Sequence, residues 1–306
     1  MLFSDTRFAV KTCAKKACNF LKRATTGVFC RAQQKCGDED NAQLPTLSVN
    51  PKYKKLYHIP DMFADADTYT SGTDLGMLRL FGSQSSIRSQ ICEFLLDIME
   101  EYGYRAECLA IAMQILDRFL TNTTATRVKE RIYHYALISL MIAVEEVHAY
   151  TMSTKQFEHH VGKHCSNKTI KKYKKQVLET LVGVVSVPTT ADLLLVTLQI
   201  AAYKYPSVFA ANGNIENVEE FRRKGLFMDI RPLLFNCNLL STASRLVLLT
   251  TFNQQCLRYA GSMLASACFY FLAEKMADFN IEKASMCARH SHKDVAGIVD
   301  YLKLIV

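Results

Sequence analysis

Two stretches of the sequence determine the predicted fold: IRSQICEFLLDIMEEYGYRAECLAIAMQILDRFL at Ile87–Leu120 and, after a short polar break, YHYALISLMIAVEE at Tyr133–Glu146. In the first helix, apolar residues recur at helical spacing, acidic residues occupy the other side, and Gly103 is suited to end the helix. Its apolar positions are Ile91, Leu95, Ile98 and Met99. The stretch Glu107–Leu120 is apolar on all sides, which predicts a buried helix. A third helix, Ile132–Val147, is nearly as apolar, so the pattern predicts a compact all-helical domain in which one helix is enclosed by the others.

Two charged residues lie within this apolar stretch, Arg88 at the start of the first helix and Asp117 near the end of the second. One interpretation is that both are solvated, as arginine and aspartate usually are. The other is that they form a buried ion pair that ties the two helices together. Loss of one partner would then leave an unpaired interior charge at a cost of about 3–5 kcal/mol. The spacing alone leaves both interpretations open.

The order and spacing of several short motifs resemble the cyclin box over about residues 78–190. The residues that carry the resemblance are Arg88, Glu100-Glu101-Tyr102, Asp117-Arg118-Phe119-Leu120, Glu145-Glu146 and Pro188-Thr189. In cyclins the arginine and aspartate at these places form a buried pair, so the resemblance favours the second interpretation. The compactness of the chain and its free cysteines are similar to those of virally captured cyclins, such as the accessory cyclins of fish retroviruses.

The resemblance implies a non-catalytic regulatory subunit that binds a cyclin-dependent kinase through the third and fifth box helices and modulates its activity. The interface residues implied in this way are Ala143, Val144, Glu145, Glu146, Phe157, Tyr173, Lys174 and Val177. Cell-cycle cyclins have a lysine where this chain has Ala143, and a glutamate where it has Lys174. Because a reversed charge at such a contact costs several kcal/mol with the wrong partner, we expect Lys174 to influence partner choice. Kinases of the transcriptional class are one candidate.

The substrate-docking patch of cyclins, which surrounds an exposed tryptophan, matches a second group of residues. These are Ile87, Gln90, Ile91, Phe94, Asp97 and Arg131. Phe94 replaces the tryptophan and keeps an aromatic side chain but lacks the indole donor. Arg131 replaces a glutamine of the family. Two interpretations stay open: a modified docking patch, or a Phe94 that belongs to the core.

Composition favours an intracellular binding protein. The net charge of +8 suits acidic partners without identifying one. The 11 cysteines occur without a visible signal peptide and several lie in apolar helical runs, so we expect a reducing compartment, the nucleus or the cytoplasm. No apolar run is long enough to predict a membrane span. No phosphate-binding glycine-rich loop or hydrolase motif occurs, and we expect no catalytic residues and no cofactor.

Two groups of potential metal ligands are also visible. Cys13, Cys18, Cys30 and Cys36 lack the close pairs of structural zinc sites, which favours free thiols. A second group contains His159, His160, His164 and Cys165. Adjacent histidines on a helix are expected to point in different directions, so we interpret these as surface histidines and predict no metal site.

The chain is predicted to contain four regions. Residues 1–36 form a basic amphipathic helix that packs on the domain or on a partner, with a membrane-surface helix and a nuclear localisation patch as alternatives. Residues 37–77 are a linker or irregular wrap with one short helix at most, residues 78–189 are the first cyclin box, and residues 190–306 are a degenerate second cyclin fold. Within these regions we predict a fourth helix capped at Ser153 or Thr154, a fifth at Thr169–Val184, a loop at Tyr205–Lys224, a central helix at Gln255–Lys275 and a closing helix at Ser291–Ile305.

Two other functions remain as alternatives to kinase regulation. A cyclin-fold scaffold could sequester a partner without activating a kinase, and the altered residues at positions 143 and 174 favour it. A tandem cyclin fold could instead bind nucleic acid as part of the transcription machinery, which the charge and Lys168–Lys175 favour. The cyclin-type motif Asp117–Leu120 and the missing N-terminal zinc ribbon count against nucleic acid.

Overall fold

The computed structural model describes residues 59–70, 74–81, 86–105, 107–123, 128–148, 152–162, 166–210, 239–276 and 278–306. Within these ranges the chain is helical and contains no strand, which confirms the predicted all-α class. The helices are α1 Ile59–Thr70, α2 Asp74–Phe81, α3 Ser86–Tyr102, α4 Glu107–Asn122, α5 Ile132–His148, α6 Thr154–Val161, α7 Asn167–Thr180, α8 Thr190–Lys204, α9 Pro206–Ala210, α10 Leu239–Phe252, α11 Gly261–Ala273, α12 Ile281–Ser285 and α13 His292–Ile305. Short 3-10 turns lie at Lys129–Arg131 and Gln254–Arg258. Within the described ranges, no helix combines the length and apolar character that crossing a membrane requires.

The chain divides into two compact units. The first contains the described residues of 69–187 together with residues 251–258, and the second contains those of 46–68, 188–250 and 259–306. The first unit therefore includes eight residues that lie far along the chain from the rest of it. The sequence patterns predict a single boundary between the two units, near residue 189. They do not indicate that residues 251–258 belong to the first unit.

Helix α4 is the centre of the first unit, as its apolar character predicts. It packs most extensively against α5 and also contacts α2, α3 and α7. Its residues from Ile115 to Leu120 are all buried, including two that carry charge. Helix α3 ends where Gly103 adopts a φ of +67°, a conformation that suits glycine. These helices agree with the three predicted from the apolar stretches.

A close contact between α2 and α4 depends on a glycine. A Cβ added at Gly76 would lie 2.5 Å from backbone atoms of Leu120 and Thr121, so a larger residue does not fit. Three residues later, Arg79 donates to the carbonyls of Leu120 and Thr123 at 2.6 and 2.5 Å. These bonds satisfy carbonyl groups that the end of a helix leaves unpaired. Helix α2 thus covers and caps the C-terminal end of α4.

Helix α11 occupies the corresponding central place in the second unit. Its residues from Leu264 to Ala273 are all buried, and it packs against α8, α12 and α13. Helix α8 begins with a capping box in which Thr189 and Asp192 exchange hydrogen bonds. Helix α13 begins in the same way at Ser291 and buries the predicted stripe, Val295, Ile298, Val299 and Leu302.

Several predicted boundaries differ from the structure. Helices α1 and α2 occupy much of the predicted linker 37–77, and α9 lies inside the predicted loop Tyr205–Lys224. The central helix begins at Gly261, because residues 254–258 form a separate 3-10 turn. Helix α7 ends at Thr180 rather than Val184, since Val182 and Gly183 have φ values of +54° and +72°. The predicted helix at 1–36 lies outside the described residues.

Candidate functional site

A buried ion pair joins α3 to α4 inside the first unit. The Arg88 guanidinium contacts the Asp117 carboxylate, and the two side chains are only 2% and 4% exposed. The Nε atom of Arg88 also donates to the carbonyl of Thr251 at 2.8 Å. Burial is the largest single influence and opposes the charge of Arg88, but Asp117, with smaller contributions from Cys92 and Cys256, outweighs it, and the pKa of Arg88 is raised. The expected pair is therefore present, and it holds the start of α3 against the last turns of α4.

The adjacent Arg118 fixes the segment that follows α7. Its Nη2 atom donates to the carbonyl of Val184 at 2.7 Å. The guanidinium also lies over the ring of Tyr69, 4.9 Å from the centroid, which is a cation–π distance. Asp117 and Arg118, two consecutive charged residues of α4, thus have structural roles: each fixes a neighbouring segment inside the first unit.

The C-terminal turn of α5 presents two carboxylates to its neighbours. The Nζ atom of Lys174 on α7 lies 2.6 Å from both carboxylate oxygens of Glu145. These two side chains keep 27% and 30% of their surface exposed. Glu146 accepts a hydrogen bond from the hydroxyl of Ser186 at 2.7 Å. We call Glu145, Glu146 and Lys174 the charged face, because all three groups remain accessible to a partner.

The other predicted interface residues do not offer side-chain surface. Ala143, Val144, Phe157, Tyr173 and Val177 are at most 5% exposed. They are buried because α5 packs through such residues against α6 and α7. Of the predicted interface residues, the three of the charged face are therefore the ones that offer side-chain surface, and the buried ones pack behind them.

Four of the six predicted docking residues share one side of α3. Partly or fully exposed are Ile87, Gln90, Phe94 and Asp97. Ile91 is fully buried and belongs to the core. The ring of Phe94 packs edge-on against Tyr133, with 5.2 Å between centroids. Phe94 is therefore a supported surface aromatic and not a core residue.

Arg131, assigned to the same patch, is engaged with α7. Its guanidinium donates to the hydroxyl of Tyr173 and lies 5.7 Å from the centre of that ring. One turn further along α5, the hydroxyl of Tyr135 donates to Gln176 at 2.8 Å. Burial raises the pKa of Tyr135, so this phenol stays protonated and able to donate. These contacts set the position of α7, and hence of Lys174, relative to α5.

A cluster of two histidines and a carboxylate lies where α3 ends. The Nε2 atoms of His159 and His160 are 3.9 and 3.7 Å from the two oxygens of Glu101. Their rings meet edge to face with centroids 5.0 Å apart, and both Nε2 atoms approach Glu101, which contradicts the expectation that adjacent histidines diverge. Burial lowers the pKa of His160, although the Glu101 carboxylate opposes that shift. His164 and Cys165 lie outside the described residues.

The described cysteines are structural. Cys92, Cys108, Cys256, Cys268 and Cys287 are all buried. Burial raises the pKa of Cys256 to about 12 and that of Cys287 to about 11. Since the thiolate is the reactive form, the thiols of Cys256 and Cys287 are unreactive near neutral pH. The four cysteines between positions 13 and 36 lie outside the described residues.

Three features of these sites have no clear signal in the sequence. Ser186 meets Glu146 across 40 residues and Arg88 meets Thr251 across 163 residues, and no local pattern connects such positions. The contact of Glu101 with the two histidines depends on how α6 packs beside the end of α3. The spacing of positions 101, 159 and 160 does not encode that packing.

Comparisons with known proteins agree with the arrangement of helices. The family model of the cyclin N-terminal domain matches residues 71–186. Cyclin-A1 of Xenopus laevis is 30% identical over 150 residues, which is 49% of this chain and 34% of that protein. G2/mitotic-specific cyclin-A of Hydra viridissima is 22% identical over 153 residues, 48% of this chain and 36% of that protein. The chain thus spans about a third of the length of the relatives that it matches.

Proposed function

From the match of residues 71–186 to the cyclin N-terminal domain, we propose that this chain is a cyclin that binds a cyclin-dependent protein kinase and regulates its activity. A cyclin-type regulatory role follows from the family. Binding to a kinase, and the activation or sequestration of that kinase, are proposed in addition to this role. The binding surface is the charged face, because α5 and α7 are the helices through which cyclins engage their kinases.

One observation carries this proposal: of the residues that the resemblance assigns to the interface, Glu145, Glu146 and Lys174 are the ones whose charged side chains stay accessible. Lys174 is already paired with Glu145 inside the chain. A pair that keeps about a quarter to a third of its surface exposed contributes little to stability by itself, about 0–1 kcal/mol. The pair would act through the charges that it presents to the partner, because like charges placed opposite each other at an interface are strongly unfavourable.

The proposed partner therefore places an acidic group near Lys174 and a basic group near Glu146. A cell-cycle kinase that normally meets a glutamate at this place would face a lysine instead. We expect selectivity for a kinase with complementary charges, and the transcriptional class is a candidate. If the chain is encoded by a virus, such binding would redirect the host cell cycle or transcription. We expect it to occur in the nucleus or the cytoplasm.

The test is a binding panel of purified cyclin-dependent kinases, followed by a kinase assay on each complex. Lys174→Glu should change the order of affinities across the panel. The matched control is Lys303→Glu, because Lys303 also pairs with a glutamate, Glu274 at 2.8 Å, but lies in the second unit. Unchanged selectivity in K174E, or no binding to any kinase of the panel, would contradict the proposal.

A charge exchange separates partner contact from internal support. The double variant K174E/E145K restores an ion pair within the chain but presents the charges in reverse. If the pair only supports the fold, the double variant should bind as the unaltered chain does. If the charges contact the kinase, the double variant should keep the changed selectivity of K174E.

An exposed lysine surface on α7 favours a second candidate, nucleic-acid binding. Lys168, Lys171, Lys172 and Lys175 are all exposed on this helix. Phosphate contacts by such a surface make log K fall steeply as log salt rises, with a slope of about −0.9 per phosphate contact. Duplex DNA titrated at several salt concentrations tests this function. A shallow slope or no binding excludes it and leaves kinase binding as the proposed function.

A further inference from the structure

The cluster of Glu101, His159 and His160 carries an inference that does not depend on kinase binding. Each imidazole places its Nε2 atom opposite a different oxygen of the one carboxylate, at 3.9 and 3.7 Å. One ligating atom from each of the three residues can be chosen so that all lie within 4.8 Å of one another. From this convergence we infer that the three residues form a zinc-binding site.

The distances are compatible with a metal ion after a small movement of the side chains. Zinc bonds of about 2.0–2.1 Å in tetrahedral geometry separate neighbouring ligand atoms by about 3.3 Å. With one carboxylate oxygen as the ligand, the three ligand atoms lie within 4.8 Å of one another and would have to approach by up to about 1.5 Å. His159 and Glu101 are 68% and 47% exposed, so a rotation of either side chain meets little resistance. Because these two side chains are exposed to solvent, water would complete the coordination.

His160 is the oriented member of the cluster. It is only 12% exposed, and its ring packs edge-on against Tyr102 with 5.6 Å between centroids. Its Nε2 atom lies 3.3 Å from the Tyr102 hydroxyl and thus points toward the end of α3. Held in this direction, it offers a nitrogen ligand beside Glu101 before any ion arrives.

The ligand set indicates zinc. Imidazole and carboxylate are common zinc ligands, and two nitrogens with one oxygen are sufficient when water completes the coordination. Ca²⁺ and Mg²⁺ prefer oxygen ligands throughout, so the two imidazoles disfavour them. Bound zinc would connect the end of α3 to α6. The first unit would therefore become more stable as the zinc concentration rises above the Kd of the site.

The experiment titrates the full chain with zinc against a chromophoric chelator and compares three variants. Glu101→Gln and His159→Gln should each weaken the tightest site by about tenfold or more. Glu158→Gln is the matched control, because it removes a carboxylate from α6 outside the cluster, and it should bind zinc as the unaltered chain does. Folding of every variant is checked by far-ultraviolet circular dichroism.

Cysteines and other histidines could bind zinc elsewhere, so a spectroscopic readout identifies the ligands. Cobalt in the site should give visible d–d bands without thiolate-to-cobalt charge transfer, and E101Q should remove those bands. A charge-transfer band at the first equivalent would place the ion on cysteines and overturn the inference. Equal zinc affinity in all variants, or no zinc binding by the unaltered chain, would overturn it as well.

Discussion

Separate replacement of Asp117 and Arg88 should destabilise the first unit in two different ways. Both side chains are almost completely buried, and each is the ionic partner of the other. Asp117→Ala leaves a buried guanidinium that cannot lose its proton, and such losses cost about 3–5 kcal/mol. This corresponds to a change of roughly two to three and a half powers of ten in the folding equilibrium. Arg88 would keep only its hydrogen bond to Thr251.

Arg88→Met instead leaves a buried carboxylate, which can take up a proton. Without the guanidinium, burial would hold the pKa of Asp117 in the folded chain above its unfolded value of about 3.9. The folded state then binds more protons than the unfolded state above that pH, so the destabilisation grows as the pH rises. Burial already raises the pKa of Asp117 beside Arg88, and removal of the guanidinium raises it further, so we expect R88M to cost less at about pH 4.5 than at about pH 7.5. D117A removes the titrating carboxyl group, so its cost should not grow as the pH rises.

The assay is urea unfolding followed by far-ultraviolet circular dichroism, since the chain has no tryptophan. The double variant R88M/D117L should be about as stable as the unaltered chain, because an apolar replacement removes both desolvated charges together. Single variants that cost less than about 1 kcal/mol would mean that the pair behaves like one on the surface. That result, or equal pH dependence of the two variants, would refute the reasoning.

Three further predictions concern a helix contact, a helix cap and a histidine. Gly76→Ala should destabilise the chain by about 1–3 kcal/mol or more, because its Cβ would overlap the α4 backbone. Gly297→Ala in α13, where the added Cβ meets nothing within 4 Å, should stabilise by about 0.5–1 kcal/mol, and an equal response of both glycines in urea unfolding would contradict the contact. Thr189→Ala removes the cap of α8 and should cost about 0.5–2 kcal/mol by the same assay, whereas no loss would show that the cap is dispensable. Burial, aided by the charge of Arg105, lowers the pKa of His148, whose Nε2 accepts the backbone N–H of Arg105. Its contribution to stability should therefore be present above about pH 6.5 and be lost as the pH falls through the folded pKa, and a titration midpoint at or above 6.5 by NMR would contradict this.

Local periodicity was sufficient to predict the helices that form the centre of the first unit. The stretch Glu107–Leu120 has no polar side, and a helix of that kind must be enclosed. Turn chemistry was equally informative, since Ser153 caps α6 and Gly103 ends α3. The resemblance to cyclins, and not the spacing, favoured pairing Arg88 with its aspartate. Features encoded by short-range pattern were therefore accessible from the sequence.

Features that depend on packing between distant segments were not accessible. The buried state of Phe157 and Val177 follows from how α6 and α7 lie against α5, which the positions of these residues in the chain do not reveal. The extended prediction for the central helix failed for a similar reason. Residues 255–258 directly precede the apolar stretch of α11 in the sequence and were predicted as its first turn, but they belong to the first unit and form a separate 3-10 turn.

The inclusion of residues 251–258 in the first unit limits how the gene can be divided. A fragment that stops at residue 187 would contain Arg88 but would lack Thr251, the carbonyl that accepts its second hydrogen bond. Recombinant expression of such a fragment should therefore yield a product with an incomplete interior. For the same reason, a deletion or exchange of the second half of this chain would remove residues 251–258 and leave the first unit incomplete.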